Sequence, residues 1–93
     1  MVCRIFDIQG GIEQYDEVVE RVGEEEKPEG VHAHIAVKTD GGFKVIEVWD
    51  SIEHCDRHMS QGTGQAIQEV MQAAGVPEPT VTDLEVHRLD WLG

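Results

Sequence analysis

Apolar and polar positions along this chain switch repeatedly between a period of two and a period near 3.6. Cys3 to Gln9 (CRIFDIQ) alternates and is rich in strand formers, and Gly10-Gly11 breaks it. Ile12, Tyr15, Val18, Val19 and Val22 then recur at three- and four-residue spacing, one face of an amphipathic helix ended by Gly23. Val31 to Val37 (VHAHIAV) alternates again. Lys38-Thr39-Asp40-Gly41-Gly42 reads as a hairpin turn, and Phe43 to Trp49 (FKVIEVW) as the return strand. Asp50-Ser51 can cap a second helix running through Ile67, Val70, Met71 and Ala74 to Gly75. Its middle, Ser60-Gln61-Gly62-Thr63-Gly64, is weak helix and predicts a break near Gly62. Pro77 and Pro79 stop it, and Val81 to Leu89 (VTDLEVHRL) alternates as a fourth strand before a short tail.

The order β-α-β-β-α-β is the split βαβ, or ferredoxin-like, arrangement, an α+β fold. It predicts one four-stranded antiparallel sheet of order 4-1-3-2 with both helices on one face.

Sorting each strand by period two yields two faces. Phe6, Ile8, Val31, Ala33, Ile35, Val37, Ile46, Val48, Leu84 and Val86 form an almost wholly apolar set, expected to meet the helices. Ile5, Asp7, His32, His34, Phe43, Val45, Glu47, Trp49, Asp83, Glu85, His87 and Leu89 form the opposite set. That set is too apolar for water and too polar for a dry core. A second sheet laid over it, with a wet pocket between, would suit it.

Length points the same way. Ninety-three residues make one domain, residues 1–93, with a thin stability margin that disulfides or oligomerisation commonly supplement. Cys3 and Cys55 lack ligand spacing and suit a reducing compartment as free thiols, which leaves a homodimer as the expected source of extra burial. Nineteen acidic against seven basic residues, a formal net charge of −12, disfavour nucleic acid and anionic membrane surfaces as partners. Part of that acidity is the run Glu24-Glu25-Glu26, expected to be a solvated connection. Neither a signal peptide pattern nor a membrane-length apolar run occurs, so a cytoplasmic protein is expected.

The candidate chemistry sits on the mixed face. His32 and His34, two apart on a strand, point the same way about 7 Å apart. With Glu47 and Trp49 on the neighbouring strand they form the candidate catalytic set, with His34 as leading acid/base and Trp49 as a flat wall for an aromatic ligand. The same side chains could instead hydrogen-bond to one another and fix a dimer seam. His87, Glu85 and Asp83, with Asp7, form a second set able to shuttle protons or hold a divalent metal. His54 and His58 stand four apart on helix 2, a metal-ligand spacing, but HCDRH lacks the Glu of a zinc-protease signature and solvated histidines are the expectation.

Two segments carry a resemblance: Gly30-Val31-His32-Ala33-His34-Ile35-Ala36, and Gly41-Gly42-Phe43-Lys44-Val45-Ile46-Glu47-Val48-Trp49-Asp50-Ser51 with Glu53 following. In these, and in element order over the whole chain, it resembles the dimeric α/β-barrel superfamily and its small antibiotic biosynthesis monooxygenase-like members. The resemblance implies a homodimer with a small-molecule cavity, and relatives that include cofactor-free oxygenases of aromatic molecules, haem degraders and isomerases. No Asn occurs in this chain, which argues against the haem degraders' Asn-Trp-His set. The expectation is a small-molecule-binding homodimer, oxygenase- or isomerase-like, acting without an organic cofactor on an apolar or aromatic ligand. A non-catalytic ligand-binding or structural homodimer, and a metal- or haem-binding oxidoreductase, are the competing readings.

Overall fold

The structure is a computed structural model describing residues 1–22 and 28–90. The Gly23 helix stop, the acidic run 24–26 and the tail from 91 to 93 lie outside the described residues. The elements follow the predicted order: β1 (Val2–Gln9), α1 (Ile12–Val22), β2 (Val31–Thr39), β3 (Gly42–Trp49), α2 (Ile52–Met59), α3 (Gly62–Ala73) and β4 (Thr80–Glu85). All strand pairs are antiparallel and the sheet order is β2-β3-β1-β4, with β1 and β3 central. Asp40 and Gly41 make the two-residue hairpin turn, since Thr39 pairs with Gly42. No helix among the described residues is long and apolar enough to cross a membrane.

The expected break in the second helical segment separates α2 from α3. Ser51 caps α2, its hydroxyl accepting from the His54 amide at 3.3 Å. At the other end Gly64 lies so close to α2 that a Cβ would stand 2.6 Å from the His58 carbonyl oxygen. A glycine is what lets α3 start against the end of α2. The Gln68 amide then donates to the Met59 carbonyl at 2.6 Å, satisfying a helix-end group that would otherwise lack a partner.

The two faces are sorted differently from the expectation. Register places Phe6 opposite Val45, Ile8 opposite Phe43, and Arg4 opposite Glu47. Phe6, Ile8, Phe43 and Val45 are all buried, in one core with Tyr15 of α1 and Met71 of α3. Phe43, Val45, Glu47 and Trp49 therefore face the helices together with Phe6 and Ile8. Ala33, Ile35, Val37, Ile46, Val48 and Leu84 lie on the open face instead, with Ile35 51% and Leu84 53% exposed. The expectation that these six meet the helices is overturned. Pairing of β1 with β3 is long-range, and period two within a strand carries no signal of which face such pairing turns inward.

Two further differences concern the histidines. A register shift between Val31 and Ala33 makes His32 the extra residue of a β-bulge, which breaks the alternation that would have kept it beside His34. The strand β4 ends at Glu85, so His87 and Leu89 lie beyond the sheet.

Candidate active site

The helices do not close down on the sheet. Between them lies a cavity of about 740 Å3, walled on the sheet side by Arg4, Phe6, Val45, Glu47 and Trp49. On the helix side it is lined by Tyr15 of α1, His58 and Met59 of α2, and Ile67 and Met71 of α3. Its volume falls within the range of small-molecule sites, which are mostly apolar with a few placed polar groups. This cavity lies within one chain, between its helices and the sheet face that carries His34, Glu47 and Trp49.

Glu47 is the centre of the polar groups. Only 3% exposed, it accepts from the Trp49 indole Nε1 at 3.0 Å and from the Cys55 thiol at 3.7 Å, both at Oε1. Its other oxygen, Oε2, lies 3.2 Å from His34 Nε2. Burial pushes the carboxyl's pKa up, but the hydrogen bonds from His34 and Trp49 and the charges of His34 and His58 outweigh it. The net result is a pKa below the ordinary value. A carboxylate in an apolar cavity is thus kept ionised by its donors.

The other polar groups hold this arrangement. Trp49 is almost fully buried, and its ring lies 5.3 Å from that of His58. Arg4 donates to both oxygens of Asp83, at 2.7 and 2.9 Å, and to Asp56 at 2.7 Å, tying β1 to β4 and α2. Asp83 foremost, then Asp56, raises the Arg4 pKa against its burial. Arg4 also lies 3.5 Å from the Cys55 sulfur. Burial pushes the Cys55 thiol up to about 12, with Arg4 opposing and Glu47 adding, so this buried cysteine is a neutral donor. Burial likewise raises the Tyr15 phenol, with the charges of Glu47 and Asp16 adding to it.

Of the four candidate catalytic residues, the structure brings together His34, Glu47 and Trp49. It leaves out His32, whose Nε2 lies 2.5 Å from the exposed Asp50 and does not border the cavity. The second set is dispersed. Asp7 pairs with Lys44 at 3.6 Å and Asp83 with Arg4, while His87 has left the strand. The His54/His58 pair is split in use: the His54 ring nitrogen Nδ1 meets Ser51 Oγ at 2.6 Å, while the His58 ring lies tilted beside that of Trp49. Among the described residues no three His, Cys, Asp or Glu side chains converge as metal ligands.

Arg4, Tyr15, Cys55 and His58 belong to the site without having been singled out for it. For His58 a signal existed. Cys55 and Met59 read as core positions of α2, and His58, three residues after Cys55, shares their side of the helix. For Arg4 there was none, because its partners come from β4 and α2.

No family model and no curated protein matches the chain. Solved structures do match. The NE2512 protein of unknown function from Nitrosomonas europaea superposes with a TM-score of 0.74 at 12% identity, over 99% of this chain and 94% of that one. An antibiotic biosynthesis monooxygenase superposes at 0.68 with 17% identity, over 95% of this chain and all of that one. SnoaB, a cofactor-independent oxygenase from Streptomyces nogalater, superposes at 0.60 with 14% identity, over 95% and 92%. The ferredoxin-like fold is therefore that of the antibiotic biosynthesis monooxygenase-like proteins.

Proposed function

We propose that this chain is a cofactor-independent oxygenase-like enzyme that binds an apolar, aromatic molecule in the cavity, with His34 as the base that Glu47 orients. The observation that carries this reading is a buried carboxylate, held ionised by Trp49 and His34, beside a largely apolar cavity of about 740 Å3. With the Nε2 hydrogen of His34 turned toward Glu47, its Nδ1 is the free acceptor, and the carboxylate stabilises the imidazolium that proton removal creates. Trp49 supplies a flat wall and one of the donors that hold Glu47. His32, paired with Asp50 outside the cavity, has no part in this reading.

Proton removal is the contribution such chemistry asks of a protein. With anthrone as probe, His34 takes a proton from the acidic methylene and the electron pair stays on carbon. Dioxygen then adds at that carbon and, with a proton, becomes a hydroperoxide. The O–O bond breaks, water leaves, and anthraquinone remains, so that anthrone and O2 become anthraquinone and water.

The working unit in this reading is a homodimer of the single domain 1–93 in the cytoplasm. The exposed Ile35, Val37 and Leu84 on the open sheet face support the pairing, since they leave an apolar surface for a second copy. The test is oxygen uptake and anthraquinone formation in chelator-treated buffer. The wild type should exceed the buffer rate, and H34Q and E47Q should each lose at least about tenfold, since a positioned base contributes 100-fold or more. Anthrone binding without any gain over buffer would reduce the protein to a ligand binder.

A further inference from the structure

Tyr15 stands apart from the other polar groups of the cavity. Arg4 is taken by Asp83 and Asp56, and Trp49 and Cys55 by Glu47. Tyr15 comes from the opposite, helical wall. It is only 8% exposed, and its ring sits 5.0 Å from Phe43 in the cluster with Ile8 and Met71. No protein group among the described residues bonds its hydroxyl, and the side chain borders the cavity. No buried side-chain oxygen or nitrogen among the described residues is sealed without a partner, so this hydroxyl is open to solvent, on a side chain that lines the cavity. A buried phenol in apolar surroundings calls for an acceptor, because leaving it unpaired costs free energy.

We propose that Tyr15 Oη donates a hydrogen bond to a carbonyl oxygen of the bound molecule, and so selects aromatic ketones over hydrocarbons of the same shape. This rests on the ligand-binding reading of the cavity. Two features favour a carbonyl over other acceptors. A carboxylate would enter beside Glu47, whose charge already acts on the phenol, and like charges in an apolar cavity repel. A neutral carbonyl carries no such penalty. The phenol also stays a donor across the working pH range, because both its burial and Glu47 oppose its ionisation. Under the proposed chemistry the same bond would stabilise the negative charge that proton removal delivers to the carbonyl oxygen, the role of a preorganised donor. The bound ring system would then span from Tyr15 on α1 to His34 on β2.

The test uses 1-tetralone and tetralin, one ring frame with and without the carbonyl. Binding is followed by Trp49 emission in the W91F background, and the bond by the 13C carbonyl shift of labelled tetralone. Wild type should bind tetralone more tightly than tetralin and move the carbonyl resonance downfield. Y15F should lose about fivefold in tetralone affinity, the worth of one neutral hydrogen bond, and leave tetralin unchanged. It should also abolish the downfield shift. Y15F keeps the ring against Phe43, and an unchanged Tm would certify its fold. H34Q should slow anthrone oxidation at least about tenfold and keep the tetralone shift, which separates this bond from the acid/base chemistry. Equal weakening of both ligands in Y15F would make Tyr15 a packing residue and overturn the proposal. So would a wild type that binds both alike with no shift. If neither ligand binds wild type, the ligand-binding reading of the cavity falls and this assignment with it.

Discussion

Replacing Glu47 by Gln keeps the shape of the side chain and removes its charge. The carboxylate accepts from Trp49 Nε1 and the Cys55 thiol at one oxygen and faces His34 Nε2 at the other. In the variant one oxygen can still take the Trp49 bond, while the amide NH2 meets the His34 N–H unless that ring changes tautomer. Hydrogen bonds to a charged group contribute about 1.5–3 kcal/mol each, whereas the desolvation of the buried carboxylate opposes them. The net loss for E47Q should be about 2 kcal/mol. In a 93-residue chain that corresponds to a fall in Tm of about 8–16 °C. The pH dependence is the sharper criterion. The folded-state pKa of Glu47 lies below its ordinary 4.5, so its stabilisation is complete above that value and drains away as pH falls through the folded one. Urea unfolding of both proteins should therefore show a gap that is present at pH 5 and narrows below about pH 4. A gap that stays constant down to pH 3, or an E47Q protein as stable as wild type at pH 7, would refute the claim that the carboxylate is held ionised.

Three other expectations are open to direct measurement. Cys55 is fully buried with its thiol pushed up to about 12, so titration of the native protein with an aromatic disulfide at pH 8 should modify Cys3 well before Cys55. Equal rates, read by mass spectrometry of the two peptides, would contradict the burial. Gly30 has φ +85°, and a Cβ there would stand 2.6 Å from His54 Cδ2, so G30A should cost about 1–3 kcal/mol in denaturant unfolding, and a cost below about 0.5 would contradict the geometry. Ile35→Lys with Leu84→Lys should turn a dimer into a monomer in sedimentation while anthrone binding persists. An unchanged sedimentation coefficient in a dimeric protein would place the contact elsewhere.

The order of elements was legible because it rests on local signals. Gly10-Gly11 broke β1, Asp40-Gly41 turned the hairpin, Ser51 capped α2, and the weak stretch from Ser60 to Gly64 parted α2 from α3. Even the grouping of His34 with Glu47 and Trp49 followed from the hairpin, whose register pairs His34 with Glu47. Which face turned inward did not follow. The more apolar set of β2 and β3 was assigned to the helices, yet the inward set includes Glu47 and His34, because they satisfy each other and Trp49 and Cys55 satisfy Glu47 as well. Arg4 shows why such partners stay hidden in the sequence. Its acidic partners lie more than fifty and nearly eighty residues away. His32 failed for a different reason, since one inserted residue in β2 ends the alternation on which its pairing with His34 relied.

The cavity between helices and sheet has a thermodynamic consequence. The space between helices and sheet is large enough for a small molecule, so under the proposed ligand binding the folding equilibrium would be coupled to what is dissolved around it. A molecule that enters only the native state stabilises it by mass action, by about 2.7 kcal/mol at a hundred times its dissociation constant. Under that reading the native state would act as a sensor of its own occupant, and its melting temperature would rank unknown compounds before any reaction is identified.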